Sequence, residues 1–67
     1  MLNPYEAKIL TLLIKKHTFW NTSEVARAAK ISWNTAEKYL EKMYKRGWLE
    51  KKGRAKLLWK AIINDED

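Results

Sequence analysis

The fold is decided by residues 23–53, which read SEVARAAKISWNTAEKYLEKMYKRGWLEKKG. The first part of this stretch has small apolar residues at helical spacing, which lets a neighbouring helix pack closely: Val25, Ala26 and Ala29. The dipeptide Lys30-Ile31 follows as a short turn, and Ser32 is a good N-cap for the next helix. The stretch therefore predicts two helices joined by a tight turn.

The second of these helices is predicted over residues 33–46, with its apolar side chains on one face: Ala36, Leu40 and Met43. Gly47 is expected to end this helix, because glycine readily adopts the left-handed conformation found just past helix C-termini. Beyond Gly47 the apolar pattern changes from helical spacing toward alternation. We expect a strand over 48–51, a turn over 52–55 and a second strand over 56–62.

The residues before this stretch predict one more helix, over 4–16. Asn3 and Glu6 have the spacing of a capping box, and Pro4 suits the first helical position. The apolar residues of this helix cover an unusually wide surface: Tyr5, Ile9, Leu10, Leu12, Leu13 and Ile14. We expect this surface to be covered by the later hairpin or by a second copy of the chain.

A brief strand is predicted over 18–20, before Asn21 and Glu24 repeat the capping-box pattern at the start of the next helix. The predicted class is therefore mainly α with a small β-hairpin (α+β). It comprises three helices plus a C-terminal wing of two or three antiparallel strands, in one domain over 1–63. Residues 64–67 are expected to form a frayed acidic tail.

The composition limits what the chain can bind. Its 67 residues include 14 Lys and Arg against 8 Asp and Glu, for a net charge of +6, and residues 30–60 alone hold ten basic and three acidic residues. Such a basic surface suits a polyanion such as nucleic acid, although a solvated, lysine-rich surface has the same composition. The absence of cysteine excludes disulfides and thiolate metal sites.

Catalysis and membrane insertion are not expected from the sequence. His17 is the only histidine, and no cysteine or serine arrangement accompanies it. Glu37 and Glu41 lie one helical turn apart, but on a predicted solvent face among lysines. No glycine-rich phosphate loop is present, and no apolar run approaches the roughly 18 residues that span a bilayer. We therefore expect no enzyme, cofactor, metal or small-molecule substrate, and a cytoplasmic, nucleoid-associated protein.

The order of helix, short strand, helix, tight turn, helix and basic hairpin resembles the winged helix-turn-helix family. Residues 23–53 carry the resemblance: a Glu-apolar-Ala helix, a Ser-capped recognition helix, a glycine and a strand. They look like the corresponding part of small bacterial and archaeal transcription regulators. The resemblance implies binding of double-stranded DNA, with helix 33–46 in the major groove and the basic wing 51–56 on the adjacent backbone or minor groove.

The outer face of helix 33–46 lies opposite its apolar residues and carries polar side chains: Asn34, Lys38, Glu41 and Lys45. Asn34 is expected to read adenine, and Lys38 to reach guanine or a phosphate. Thr35 flanks this face and is expected to contact a phosphate or a thymine methyl group. Two readings stay open for Trp33, a packing residue or a contact at the groove rim, and for Glu37, a cytosine acceptor or a solvated side chain.

Basic residues also cluster around Gly53 in the predicted wing, where arginine favours narrow minor grooves and lysines add sequence-independent affinity. An alternative role for these lysines is to prevent edge-to-edge aggregation of strands. Helix N-termini bind anions, so the start of the helix after Asn21 is a candidate phosphate clamp, with Lys30 nearby. The complete set of predicted DNA-binding residues is Thr22, Ser23, Lys30, Trp33, Asn34, Thr35, Glu37, Lys38, Lys42, Lys51, Lys52, Arg54 and Lys56.

Two other functions and a homodimer follow from the remaining features. A surplus of apolar residues would suit a protein-docking module of a transcription or replication complex: Leu10, Ile14, Leu58, Ile62 and Ile63. Leu58-Trp59-Lys60 resembles the last strand of Z-DNA-binding winged helices, but Glu37 and Glu41 stand where those domains have asparagine and tyrosine. We therefore expect Trp59 in the core. A homodimer would place two recognition helices about 34 Å apart on a near-palindromic site.

Overall fold

Three helices and a small sheet make up the fold in a computed structural model, which describes residues 3–62. The elements in chain order are α1 (Pro4–Lys15), β1 (Trp20–Asn21), α2 (Thr22–Ala29), α3 (Trp33–Lys45), β2 (Leu49–Lys52) and β3 (Leu58–Ala61). This architecture confirms the predicted fold class. The expected acidic tail over 64–67 and the apolar Ile63 lie outside the described residues.

Local side-chain hydrogen bonds explain where each helix begins. Asn3 and Glu6 form the predicted capping box of α1, and Asn21 and Glu24 form that of α2, each with the reciprocal pair of backbone and side-chain bonds. The Ser32 hydroxyl accepts a hydrogen bond from the backbone amide of Thr35 at 3.1 Å, which caps α3. All three helix starts are therefore determined by residues within a few positions of each other.

The ends of α2 and α3 both depend on a left-handed residue. Gly47 follows α3 with φ of +84°, and the amides of Gly47 and Trp48 donate to the carbonyls of Tyr44 and Met43 at 2.9 and 3.1 Å. This pair of hydrogen bonds ends the helix as predicted. Lys30 has the same role after α2, with φ of +59°, although it has a Cβ and pays the steric cost that glycine avoids.

The sheet has the order β1-β3-β2 and is antiparallel throughout. The first strand lies at Trp20–Asn21 rather than at 18–20, because Asn21 pairs with Leu58 of β3 while its side chain caps α2. The hairpin strands are also shifted from their predicted bounds, and the loop between them covers 53–57. Gly53 turns this loop back so tightly, at φ of +96°, that a Cβ would collide with the Lys56 carbonyl oxygen.

The core lies where the three helices meet the inner face of the sheet. Its residues include the predicted apolar faces of α2 and α3 and, from the sheet, Leu49, Trp59 and Ala61. Trp59 is fully buried, as predicted. The wide apolar surface of α1 is covered only in part, because Ile9 and Leu13 are buried whereas Ile14 remains 47% exposed.

None of the helices within residues 3–62 combines the length and hydrophobicity needed to cross a bilayer.

Candidate nucleic-acid interface

The first half of α3 presents an exposed polar ridge. Trp33, Asn34 and Lys38 are all exposed, while Ala36 and Leu40 on the opposite side are fully buried. Within residues 3–62, the side chains of Asn34 and Lys38 form no hydrogen bond or ion pair, which leaves their polar atoms directed at solvent. The ridge therefore has the orientation that contact with base edges requires.

A groove runs along one side of this ridge, and we call it the wing-side groove. It is lined by the start of α2, by the first turns of α3 and by the loop between β2 and β3: Asn21, Thr22, Ser23, Trp33, Glu37, Arg54, Ala55, Lys56 and Leu57. Arg54 and Lys56 are exposed at its wall. The groove thus brings together predicted DNA-binding residues from three separate segments of the chain.

A second concave surface lies on the other side of the ridge, and we call it the turn-side hollow. Its lining residues come from the turn between α2 and α3, from α3 itself and from α1: Tyr5, Lys30, Ile31, Ser32, Thr35, Lys38 and Tyr39. The Thr35 hydroxyl accepts a hydrogen bond from the Ser32 hydroxyl at 2.8 Å, and Lys42 Nζ lies 5.8 Å from the Tyr39 ring centre. Nine of the thirteen predicted site residues therefore line one of the two hollows that flank the ridge.

The Thr22 side chain is buried, although Thr22 borders the wing-side groove, and its predicted part in a phosphate clamp at the start of α2 stays a prediction. It is only 4% exposed, and its Oγ1 accepts a hydrogen bond from Trp59 Nε1 at 2.9 Å. The hydroxyl is committed to satisfying a buried indole N–H, which would otherwise lack a partner. Ser23, the next residue, is exposed and lines the wing-side groove.

Lys51, which is predicted to contact DNA from the wing, is held against α3. Its Nζ donates to both carboxylate oxygens of Glu41, at 3.2 and 3.1 Å, and lies over the rings of Tyr44 and Trp59. Alternation along β2 explains this position, because Leu49 and Lys51 share the face toward α3. Glu41 is half-buried by the same contact and is not a free member of the outer face of α3.

The remaining basic residues of the hairpin lie at the surface. Lys52 is exposed on the outer side of β2, where its Nζ is 4.3 Å from the centre of the Phe19 ring. Lys60 approaches the same ring at 5.5 Å. The sequence analysis assigned no role to Phe19 or Lys60. Alternation along β3 could have indicated the position of Lys60, because the residue next to the buried Trp59 points to the outer face of the sheet.

Comparison with known proteins gives the family. The profile of the family described as "Sugar-specific transcriptional regulator TrmB" matches residues 2–63, nearly the whole chain. The chain therefore belongs to the TrmB family, which is described as a family of transcriptional regulators. No protein with a curated description matches the chain.

Solved structures with the same fold belong to larger chains. Bordetella bronchiseptica BpsR, whose DNA binding is regulated by 6-hydroxynicotinic acid, superimposes with a TM-score of 0.86 at 21% identity, over 94% of this chain and 46% of its own. Lactococcus lactis ZitR in complex with DNA gives a TM-score of 0.77 at 24% identity, over 92% of this chain and 44% of its own. A second structure of ZitR, a zinc-responsive MarR family member, gives 0.77 at 20% identity, with the same coverage. These matches show a winged-helix fold, and the chain spans about half the length of the solved chains.

Proposed function

We propose that this TrmB-family domain binds double-stranded DNA as part of a transcription regulator. In this proposal the ridge of α3 enters the major groove, with Asn34 toward the base edges and Lys38 on a phosphate. The loop over 53–57 lies on the adjacent backbone or in the minor groove, with Arg54 as its leading side chain.

The observation that carries this proposal is the wing-side groove. Trp33 and Glu37 from α3 line it together with Arg54 and Lys56 from the hairpin loop. A recognition helix in a major groove and a wing beside it must leave room for the sugar-phosphate backbone that passes between them. The groove supplies that room, and its basic wall supplies the complementary charge.

The turn-side hollow supports contact with the other DNA strand. Lys30 and Lys38 line it together with the hydroxyl-bearing Thr35, so two cations and a polar group border α3 on the side away from the wing. Phosphate contacts on both flanks would fix the register of the helix in the groove while the ridge reads bases. We propose that Ser23, Lys42 and Lys52 add further backbone contacts at the edges of this surface.

The test is a salt titration of duplex binding by the purified chain. Duplexes are first selected from a random pool at two salt concentrations, and the affinity for the selected duplex is then measured by fluorescence anisotropy. We expect the logarithm of the association constant to fall with the logarithm of salt concentration by about 0.9 per phosphate contact. A protein-docking module would instead show little duplex binding even at low salt, and that result would refute the proposal.

We also propose that the domain acts as a homodimer. Ile14 on α1 and Ile62 just after β3 are 47% and 49% exposed, and α1 packs against β3. A second copy that covers them would place two recognition helices about 34 Å apart on DNA. Sedimentation equilibrium at tens of micromolar is expected to give a dimer mass, and a monomer mass would remove this part of the proposal.

A further inference from the structure

Five side chains connect α2, α3 and the two strands of the hairpin, and we call them the Lys51 network: Thr22, Glu41, Tyr44, Lys51 and Trp59. They come from the start of α2, the second half of α3 and both strands of the hairpin. None of these connections is local in sequence, since Lys51 is ten residues from Glu41 and Trp59 is 37 residues from Thr22.

Lys51 is the centre of the network. Its ammonium group is held by the two oxygens of Glu41 and lies 4.6 Å from the centre of the Tyr44 ring and 5.4 Å from that of Trp59. The side chains of Lys51 and Glu41 are 26% and 33% exposed, so the ion pair is partly shielded from solvent. A cation held by a carboxylate and two aromatic faces at once has little freedom to turn toward a phosphate.

The network continues from Lys51 to α2 through Trp59. Lys51 and Trp59 are direct partners across β2 and β3, and the Tyr44 ring meets Trp59 edge-on at 6.4 Å. The Trp59 indole N–H then donates to Thr22 in the first turn of α2. One continuous set of contacts therefore ties the recognition helix to the wing and to the start of α2.

We propose that the Lys51 network sets the angle between α3 and the hairpin, so that Lys51 and Glu41 are positioning residues for DNA binding and not DNA contacts. This inference rests on the proposed function. By charge alone, Lys51 would attract DNA and Glu41 would repel it. The inference instead gives the two residues one shared role.

The two readings differ in the sign of one effect. Replacing Glu41 with glutamine removes a negative charge from a basic surface, so that electrostatics alone would make duplex binding tighter. If Glu41 instead holds the hairpin in place, Glu41→Gln weakens binding by about two- to fivefold, a modest loss because partly exposed ion pairs contribute modestly. The salt dependence stays unchanged, since no phosphate contact is lost.

Two residues of β2, the strand that carries Lys51, provide matched controls: Glu50 and Lys52. Glu50 is exposed on the outer face of β2, so Glu50→Gln makes the same charge change outside the network and is expected to leave binding unchanged or slightly tighter. Lys52→Met is expected to lower the salt slope by about 0.9, whereas Lys51→Met weakens binding with the slope unchanged.

A second measurement needs no DNA. Residual dipolar couplings of backbone amides report the relative orientation of α3 and the β2–β3 hairpin in the free protein. We expect one alignment tensor to fit both elements in the wild type and in Glu50→Gln, and a separate tensor to be needed for the hairpin in Glu41→Gln.

The outcomes separate the two proposals. Weaker binding of Glu41→Gln at an unchanged salt slope, together with a reoriented hairpin, supports the positioning role. Unchanged or tighter binding by Glu41→Gln, a reduced slope for Lys51→Met, or a hairpin that keeps its orientation in Glu41→Gln would overturn it. If the wild-type chain binds no duplex, the proposed function fails, and the inference that these residues position the domain for DNA falls with it. The dipolar couplings then show separately whether the network sets the angle.

Discussion

The two halves of α3 look alike in sequence but differ in what their polar side chains contact. In the first half, Asn34 and Lys38 are exposed and make no ion pair or side-chain hydrogen bond within residues 3–62. In the second half, Glu41 binds Lys51, and Arg46 just past the helix lies over the Trp48 ring at 5.1 Å.

This difference shows that a polar helical face is not a single surface. The second half of α3 includes Glu41, whose partner Lys51 on β2 comes later in the chain. The first half borders two open hollows instead. Base reading is therefore proposed for the half that the rest of the molecule leaves uncovered.

The largest expected contrast is in the stability lost on replacing two tryptophans: Trp33, which begins the first half of α3, and Trp59, which packs against the second half. Trp59→Ala removes a fully buried side chain and is expected to cost about 3–5 kcal/mol, enough to unfold a domain of this size. Trp33→Ala, at a position 46% exposed, should change the unfolding free energy by about 0.5 kcal/mol or less while weakening duplex binding. Urea unfolding followed by circular dichroism measures both, and equal losses of stability would show that Trp33 is a core residue.

A smaller contrast is expected between the neighbours Thr22 and Ser23. Thr22→Val keeps the shape of the side chain but leaves the buried indole N–H of Trp59 without its acceptor, at a cost of about 1–3 kcal/mol. Ser23→Ala changes an exposed residue and should leave the unfolding free energy nearly unchanged while weakening duplex binding slightly. A stable Thr22→Val protein would mean that this hydrogen bond does not hold α2 to the sheet.

Asn34 tests whether the first half of α3 reads bases. If its amide binds the adenine edge, Asn34→Ala should lose about 1–3 kcal/mol of discrimination at one base pair of the selected duplex and leave preferences elsewhere unchanged. Lys45→Ala, in the exposed last turn of α3, is the control and should alter no base preference. Selection from the random pool with each variant measures this, and identical preferences for Asn34→Ala and wild type would remove Asn34 from the reading face.

The smallest expected effect concerns Lys30, whose left-handed backbone disfavours a side chain. Lys30→Gly relieves that strain and is expected to raise the unfolding free energy by about 0.5 kcal/mol, after the entropic cost of glycine is subtracted. Lys30→Ala keeps the strain and should give no such gain. Both variants lose the charge at the turn-side hollow, so both should weaken duplex binding equally if Lys30 contacts a phosphate; unequal losses would point to the backbone instead.

What could be predicted from the sequence was what depends on near neighbours. The capping boxes at Asn3 and Asn21, the Ser32 cap and the stop at Gly47 all involve residues a few positions apart, and the structure confirms each of them. The buried faces of α2 and α3 followed from periodicity, and the burial of Trp59 was also predicted.

What could not be predicted depends on distant partners. Nothing local to Thr22 indicates that its hydroxyl meets Trp59, and nothing local to Lys51 indicates that it turns toward Glu41 rather than toward the wing loop. The hairpin strands begin and end at other residues than predicted for a similar reason. The tight loop at Gly53 depends on a close approach to the Lys56 backbone. Assigning surface roles to charged residues therefore required the packed hairpin.

The most direct test of the central claim, that the ridge of α3 and the wing loop bind one duplex together, is the salt dependence of binding in a set of charge variants. Lys38→Ala and Arg54→Ala should each reduce the slope by about 0.9, and the double variant by about twice that. Lys8→Ala, which removes the same charge from the exposed face of α1, should leave the slope unchanged. Slopes for Lys38→Ala and Arg54→Ala that match the wild type, or that match Lys8→Ala, would contradict the account.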